Sequence, residues 1–591
     1  MAIDNNKSAK LRSQIEAEIR QYLTETVMIG KKAHSQHKLV ERIAMFESKT
    51  YPNGKFDSQG NYKYWFDIQQ SPIDGEVKNV DFNSRDVIIY SAIKNTVLQG
   101  IIANMKLGEW MRKTGQDEEI NSGIEEGAGW GNVLWKKVRG EYERCNLRET
   151  YIINQTARTV NETAIIEHHQ LTQSQVRAYD GTYDNVPEVL ERLGTNQYKA
   201  EAGGQAKATT VPFYNFYERN GEVCVADLKE ANGEKPTKAD ENRYVLARVI
   251  GAGTISETSG VNIELIVFAE ELPGMTMEDI YKEYHRGRYK GRWFREGLYE
   301  LTFDLQVRAN QIGNQIAVGL EYASKTWFTS EDQLIYQNIM TDMANGDIIR
   351  TKGVHQIEVR MQGFDQLVAD WNRIIQLRNE ICNSMEIVQG EQLSPNTPLG
   401  LGQLYDANAN KLFVFIRQKF AIPYSCIFNE WIIPKYISYM RTQDIVELSG
   451  DADMLSRFAQ LIVADWYNQN LIAFGPHDEV AAQGIKDQQL QKLLARKKLL
   501  VEGIKRLFAA YVAHAYVDIT GVSMNLNSDI ETLKTFAQLE ADPVRRSAII
   551  EQMAWRKGLD FSSLPKSEPQ QASTIQATPL QKPALAGAEQ Q

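Results

Sequence analysis

The chain has 591 residues, 42% of them hydrophobic and 24% charged, with a formal net charge of −10. That length supports several packed cores. The acidity excludes a surface built as a whole to grip nucleic acid, and no apolar run reaches the ~18 residues of a membrane span.

In chain order, residues 8–48 read as helix, with a basic patch at Lys31, Lys32 and Lys38. Residues 50–66 are turn-rich and aromatic, a loop or hairpin. Residues 86–105 carry the apolar pattern of a buried helix. Residues 118–138 read as a second helix, whose Gly123, Gly127, Gly129 and Gly131 let another helix come close. Alternation at 151–153 and 164–169 predicts strands, and Thr172 is placed to cap a short helix. Residues 211–250 are β-rich, with hairpin cues at Asn220-Gly221 and Asn232-Gly233, and 261–268 is an apolar strand. A basic-aromatic run, 284–295, leads into the centre of the chain.

Two helical patterns occupy that centre. In the first, Leu298, Leu301, Leu305, Ile312, Ile316, Leu320 and Ala323 share one face, while Gln306, Asn310 and Asn314 form a stripe of neutral amides four residues apart. In the second, Leu367, Trp371, Ile374, Ile381, Met385 and Val388 follow the same period. The insert between them mixes a helix near 331–343 with strands at 348–350 and 356–359. A polar loop broken by Pro395, Pro398 and Gly400 follows, then a helical run over 403–420. Further helices are expected at 423–442, 454–473 and 479–517, with two short ones in 528–558. Residues from 562 onward are Ser/Pro/Gln/Ala-rich and read as a disordered tail.

Signs of catalysis are scarce. There is no GxxxxGK[ST], HExxH, GxSxG or spaced Cys/His cluster. Cys145, Cys224, Cys382 and Cys426 are scattered, which argues for a reducing compartment and against a disulfide scaffold. The first twelve or so residues are polar and show no signal-peptide core. His168 and His169 are neighbours on a strand and point to opposite faces, so a structural role outweighs a shared metal. His34 and His37, three apart on a helix, lack a third ligand. Glu125 and Glu126 read as a solvated face. The run 285–295 suits either nucleic acid or a junction whose arginines pair with nearby acids. The cluster Lys492, Arg496, Lys497, Lys498, Lys505 and Arg506 reads as a solvated face or a DNA-facing one.

Helix, compact insert, returning helix, Pro/Gly loop and kinked helix resemble, in that order, the stem, clip, stem, tunnel loop and tunnel helix of tailed-bacteriophage portal proteins. The flanks are similar too: Thr150-Tyr151-Ile152-Ile153-Asn154 and Glu167-His168-His169-Gln170-Leu171-Thr172 look like the wing before the stem. The run from Arg286 to Glu300 is similar to the stem entry of podovirus-type portals. The resemblance spans roughly 85–445 and implies a mainly α chain with an α+β wing and clip, assembled as a ring. It divides the chain into a wing (1–290), first stem helix (291–325), clip (326–362), second stem helix (363–388), tunnel loop (389–401), tunnel helix and wing return (402–450), helical crown (451–560) and tail (561–591).

The implied function is a dodecameric channel for double-stranded DNA at one capsid vertex, made in the host cytoplasm and carried in the virion, with no catalytic residue, metal or cofactor. Its implied partners are copies of itself, DNA, the major capsid protein, the large terminase subunit and tail adaptors. Implied contacts are Glu391, Gln392, Ser394, Asn396 and Thr397 on DNA from the tunnel loop. Gln306, Asn310 and Asn314 would line the channel, and Glu331, Asp342 and Asp347 would meet partners at the clip. Lys492, Arg496, Lys497 and Lys498 would be basic DNA contacts. A nucleic-acid-processing enzyme, such as a nuclease or packaging motor, and a channel-less adaptor are the competing classes.

Overall fold

The computed structural model describes residues 3–29, 31–56, 60, 62–80, 87–91, 107–108, 110–138, 141–196, 213–256, 260–324, 327–330, 354–357, 363–382 and 399–439, parts of 456–503, and 513–517. All belong to one compact unit, residues 1–521. The second unit, 522–591, lies outside the described residues, and with it the expected tail and the short helices of 528–558.

Helix α1 (Ala9–Thr24) buries Leu11, Ile15, Ile19 and Tyr22, a stripe at helical spacing. A small hairpin, β1 (Val27–Ile29) with β2 (Lys32–His34), then interrupts what reads in sequence as one helix, and α2 (Gln36–Glu47) resumes. Thr24, Thr26, Val27 and Ile29 are β-branched, and four such residues in six positions favour extended backbone over helix. Helix α3 (Gln70–Val80) follows. The expected buried helix at 86–105 is corrected at its start. Val87-Ile88-Ile89-Tyr90-Ser91 is a strand, β3 (Val87–Ser91), paired antiparallel with residues 513–517.

Helix α4 (Gln116–Trp130) ends at Gly131, whose φ of 81° is left-handed, and strand β4 (Asn132–Val138) replaces the rest of the expected helix. The glycines of α4 do permit close approach, but to rings rather than to a second helix. A Cβ on Gly127 would lie 2.9 Å from the Tyr284 ring, and one on Gly129 2.7 Å from Tyr299. Strands β5 (Glu141–Arg144), β6 (Thr150–Ile152) and β7 (Ile165–Thr172) come next, then α5 (Gln173–Ala178). Thr172 caps α5 through a capping box with Gln175, as its position predicts.

After α6 (Val186–Asn196), strand β8 (Phe213–Cys224) runs straight through Asn220-Gly221, so the expected hairpin there is absent. Gly221 serves closeness instead of turning, since a Cβ would sit 2.7 Å from Ala164 Cβ. Helix α7 (Val225–Ala231), β9 (Tyr244–Ser256) and β10 (Gly260–Glu271) follow, and Asn232-Gly233 makes the turn after α7. The five-stranded antiparallel sheet has the order β10-β9-β8-β7-β6. Successive residues point to opposite faces. Tyr217, Val249 and Ile266 therefore pack with α1, while Phe216, Ile250 and Val267 pack with α5 and α6.

Short α8 (Met277–Ile280) leads into β11 (Tyr281–His285), which joins β4 and β5 in a three-stranded sheet. The central helix begins at Leu298, where its apolar pattern begins, as α9 (Leu298–Leu301) and then α10 (Phe303–Ser324). Strands β12 (Trp327–Ser330) and β13 (Val354–Ile357), paired antiparallel, lie between it and α11 (Phe364–Cys382). Strand β12 is unforeseen, and β13 overlaps the strand expected at 356–359. The long α12 (Leu399–Ile427) contains Pro423 and continues through a π-helical turn, Phe428–Ile432, into α13 (Ile433–Tyr439). One face of α12 buries Phe420 and Tyr424 against Trp135, with ring centroids 5.7 and 5.2 Å apart. Helix α14 (Glu479–Ala495) stops well short of residue 517, because Ala513–Val517 is the strand β14 that pairs with β3. The chain is thus a mixed helix–sheet protein with open sheets. Among the described residues no helix is long and apolar enough to cross a membrane.

Candidate functional site

The amide stripe of α10 has a partner within the chain, the extended segment 63–68. Tyr64 N–H donates to Asn314 Oδ1 at 2.7 Å, Phe66 N–H to Asn310 Oδ1 at 2.9 Å and Ile68 N–H to Gln306 Oε1 at 3.0 Å. In return Asn314 Nδ2 donates to the Tyr64 carbonyl at 2.9 Å, and Gln306 Nε2 to that of Phe66 at 2.6 Å. The match is one of pitch. Four helical residues rise ~6 Å and two extended residues ~6.6 Å, so amides at i, i+4 and i+8 meet every second backbone unit of a strand. Each primary amide carries a donor and an acceptor, and so imitates a strand edge.

This corrects the expected channel-lining role. Gln306 is 0% exposed and Asn310 5%, both covered by the segment they hold. Phe66 lies on Gly313, edge-on to Trp371 with centroids 5.7 Å apart. Ile68 joins Ala309, Ile312 and Ile374 in a small core, and its carbonyl accepts from Arg378 at 3.2 Å. Arg378 therefore sits level with Gln306, and Trp371 level with Gly313, so α10 and α11 run antiparallel.

Gly313→Ala tests the clamp. In an exposed helix that change gains up to ~1 kcal/mol. Here the new Cβ would stand 2.4 Å from the Phe66 ring, and overpacking costs ~1–3 kcal/mol. The expected net is a loss of about 1 kcal/mol in urea denaturation, with faster proteolysis in 50–66. A gain in stability would show that the ring is free to move.

The basic-aromatic run is largely spent on a junction. Arg286 grips Glu76 with three N–H···O contacts of 2.9, 3.1 and 2.9 Å. Arg292 holds both oxygens of Glu300 at 2.7 Å, and Lys290 meets Glu296 at 2.6 Å. The Trp293 indole donates to Glu283 at 2.8 Å. Arg288 is the exception, exposed and with no partner among the described residues.

The paired histidines do not converge. His168 is buried between Glu149 at 2.6 Å and Asn215 at 3.1 Å and stacks on Tyr217. His169, Glu167 and Glu218 do bring ligand atoms within 4.8 Å of one another. A cation already bridges the carboxylates, however: Lys136 Nζ lies 2.8 Å from Glu167 and 2.7 Å from Glu218. Burial alone would lower the Lys136 pKa, but the two carboxylates outweigh it and raise it. His34 lies on β2, not on a helix with His37. Burial and nearby Arg292 lower its pKa to about 4, and that guanidinium would equally oppose a metal ion. His37 faces Glu41 at 3.3 Å. Glu126 is not solvated: it is largely covered and contacts Arg144 at 3.0 Å.

Lys492 and Arg496 are exposed at the end of α14. The other expected contacts lie outside the described residues: Glu331, Asp342 and Asp347 in the insert, Glu391, Gln392, Ser394, Asn396 and Thr397 in the loop, and Lys497 and Lys498. Lys136 and Lys419 were missed by sequence reasoning. Lys136 had a weak signal, a lysine within the apolar run Val133-Leu134-Trp135. Lys419 had none, because its partners are more than a hundred residues away.

Compared with protein-family models and with curated proteins, the chain matches none.

Proposed function

We propose that the chain is a portal-type subunit, a non-catalytic element of a ring through which double-stranded DNA passes at one capsid vertex. The observation that carries this reading is the order α10, strand pair, α11, α12. Between two antiparallel helices lies an antiparallel pair of short strands, and a long helix that contains a proline and passes into a π turn follows. In the proposal these are stem, clip, stem and tunnel helix. The helices also keep apolar side chains in solvent: Leu320 is 51% and Ile381 43% exposed, with Val307, Val368, Leu377 and Phe415 alongside. A lone chain gains nothing from such faces. A head-to-tail ring covers each with the next copy, provided the rotation closes. Because Gln306, Asn310 and Asn314 are occupied, a channel surface on α10 would be drawn from Asp304, Arg308, Gln311 and Gln315, which are exposed. Terminase, tail adaptor and capsid protein are the partners this role entails.

Light scattering of the purified chain should give a closed oligomer whose mass is a large multiple of 67.2 kDa, and negative-stain images should show rings with an axial opening. Monomers and dimers at all concentrations would overturn the proposal, and a monomer that hydrolyses ATP or DNA would establish the enzyme reading in its place.

A further inference from the structure

Between the end of β11 and the middle of α12 lies an open cleft of about 450 Å3. Three cations line it. Lys419 Nζ donates to the carbonyls of His285, Arg286 and Gly287 at 3.2, 3.1 and 3.2 Å. Arg295 donates to the carbonyls of Arg292 and Arg158, and its guanidinium lies 4.5 Å from the Tyr289 ring centre. Arg288 reaches in from the rim without a partner among the described residues. Lys419 has no carboxylate partner and Arg295 feels only that of Glu283, with which it makes no direct bond; both are held by backbone carbonyls. Burial, then Arg295, Arg286 and Arg288, depress the Lys419 pKa, the sign of charges crowded without a counter-ion.

The wall has one acid, Glu283, and its oxygens are taken up by the Val160 N–H at 3.2 Å and the Trp293 indole at 2.8 Å. His285 sets its Nε2 3.1 Å from an oxygen of the same acid. Its Nδ1 donates to Asn132 Oδ1 at 2.8 Å, an oxygen that also accepts from the Arg295 N–H at 2.9 Å. Three cations against one carboxylate leave an excess of two positive charges, within a chain of net charge −10.

We infer that this cleft binds a phosphate group, with the free guanidinium of Arg288 closing on two of its oxygens and Lys419 and Arg295 supplying the field. A dianionic phosphate monoester matches the excess of two, where a carboxylate would leave half of it. Arginine's planar fork suits the tetrahedral oxyanion. The volume exceeds that of phosphate alone, and Ile422, 67% exposed, with Pro423 offers an apolar wall for an attached organic group. Base stacking is not part of the site, because the Tyr289 ring already carries Arg295 and, 5.2 Å from its centre, Arg158. The cleft belongs to one chain and does not depend on ring assembly.

The excess of two favours a free phosphomonoester over a DNA backbone, whose diesters carry one negative charge each, and calorimetric titration separates the two sources. The full chain is titrated with inorganic phosphate, with adenosine monophosphate and with a short DNA duplex, and with acetate at equal ionic strength as control. Arg288→Glu, at an exposed position, should weaken binding by about tenfold or more, and Arg288→Lys by clearly less. Binding of phosphate and the mononucleotide without the duplex supports a free phosphomonoester; binding of the duplex alone supports a DNA backbone. No binding of any of the three, equal binding of acetate, or unchanged affinity in Arg288→Glu overturns the inference.

Discussion

Replacing Lys136 by Met should destabilise the protein by about 3–5 kcal/mol, the usual cost of leaving buried charges without their partner. Glu167 and Glu218 are direct cross-strand neighbours on β7 and β8, and like charges placed so are unfavourable. Lys136 comes from β4, in the other sheet. Its ammonium therefore bolts the three-stranded sheet to the five-stranded one. Tyr281, from the strand beside β4, adds a hydroxyl bond of 2.6 Å to Glu167, and Arg248 lies 3.1 Å from Glu218. Neither contact replaces the bridge.

The pH dependence has a definite sign. Burial alone would raise the Glu218 pKa, but Lys136 and Arg248 hold it below its ordinary 4.5. A carboxylate depressed in the folded state contributes stability above its unfolded pKa and loses it as pH falls through the folded value. In Lys136→Met the cation that most lowers the Glu218 pKa is gone while its burial remains, so this acid-side loss disappears. The difference between parent and variant should be largest at neutral pH and narrow below about pH 4. Urea midpoints at pH 7 and pH 4 measure it. Adding Glu167→Gln and Glu218→Gln to Lys136→Met should recover most of the loss at pH 7. Equal midpoints for parent and single variant at pH 7 would show that the bridge contributes nothing.

Periodicity made legible the elements whose apolar pattern outran their ambiguity: α1, α4, β7, β10, α10 and α11. It failed where a short apolar run fits either period. Val87-Ile88-Ile89 reads as a buried helix or a buried strand, and only pairing with residues 513–517, more than four hundred positions away, decides it. It also failed where local turn chemistry is overruled by packing. Asn220-Gly221 is a strong hairpin cue, yet Asn220 is occupied in β8 by Tyr281, 2.8 Å away, and Gly221 by Ala164. At the candidate site the sequence located the amide stripe correctly and misjudged its partner. Spacing shows that three amides share a face; it does not show what that face meets. The acidic mates of Arg286 and Arg292, by contrast, were foreseeable in kind, since a buried guanidinium without a carboxylate is costly.

Substituting leucine along the stripe should produce a graded loss, greatest at Gln306 and least at Asn314. Gln306→Leu removes the acceptor of the buried Ile68 N–H and the donor to the Phe66 carbonyl. An orphaned buried backbone group costs ~1–3 kcal/mol. Two of them, less the small gain from packing leucine against Ile68, give about 2–4 kcal/mol. Asn310→Leu strips one partly buried N–H, that of Phe66, and should cost about 1–2 kcal/mol. Asn314→Leu frees the exposed Tyr64 N–H, while the Tyr64 carbonyl keeps the Tyr51 hydroxyl at 2.7 Å, so water replaces the amide and the cost should stay below about 1 kcal/mol. Hydrogen exchange supplies the local reading. Protection of the Ile68 and Phe66 amides should fall in the Gln306 and Asn310 variants in proportion to the change in midpoint. Side chains facing a channel would behave otherwise, since leucine at all three would leave stability level and alter only what passes the ring. Three equal midpoints, with Ile68 still protected in Gln306→Leu, would return the stripe to that role and release the 63–68 segment from it.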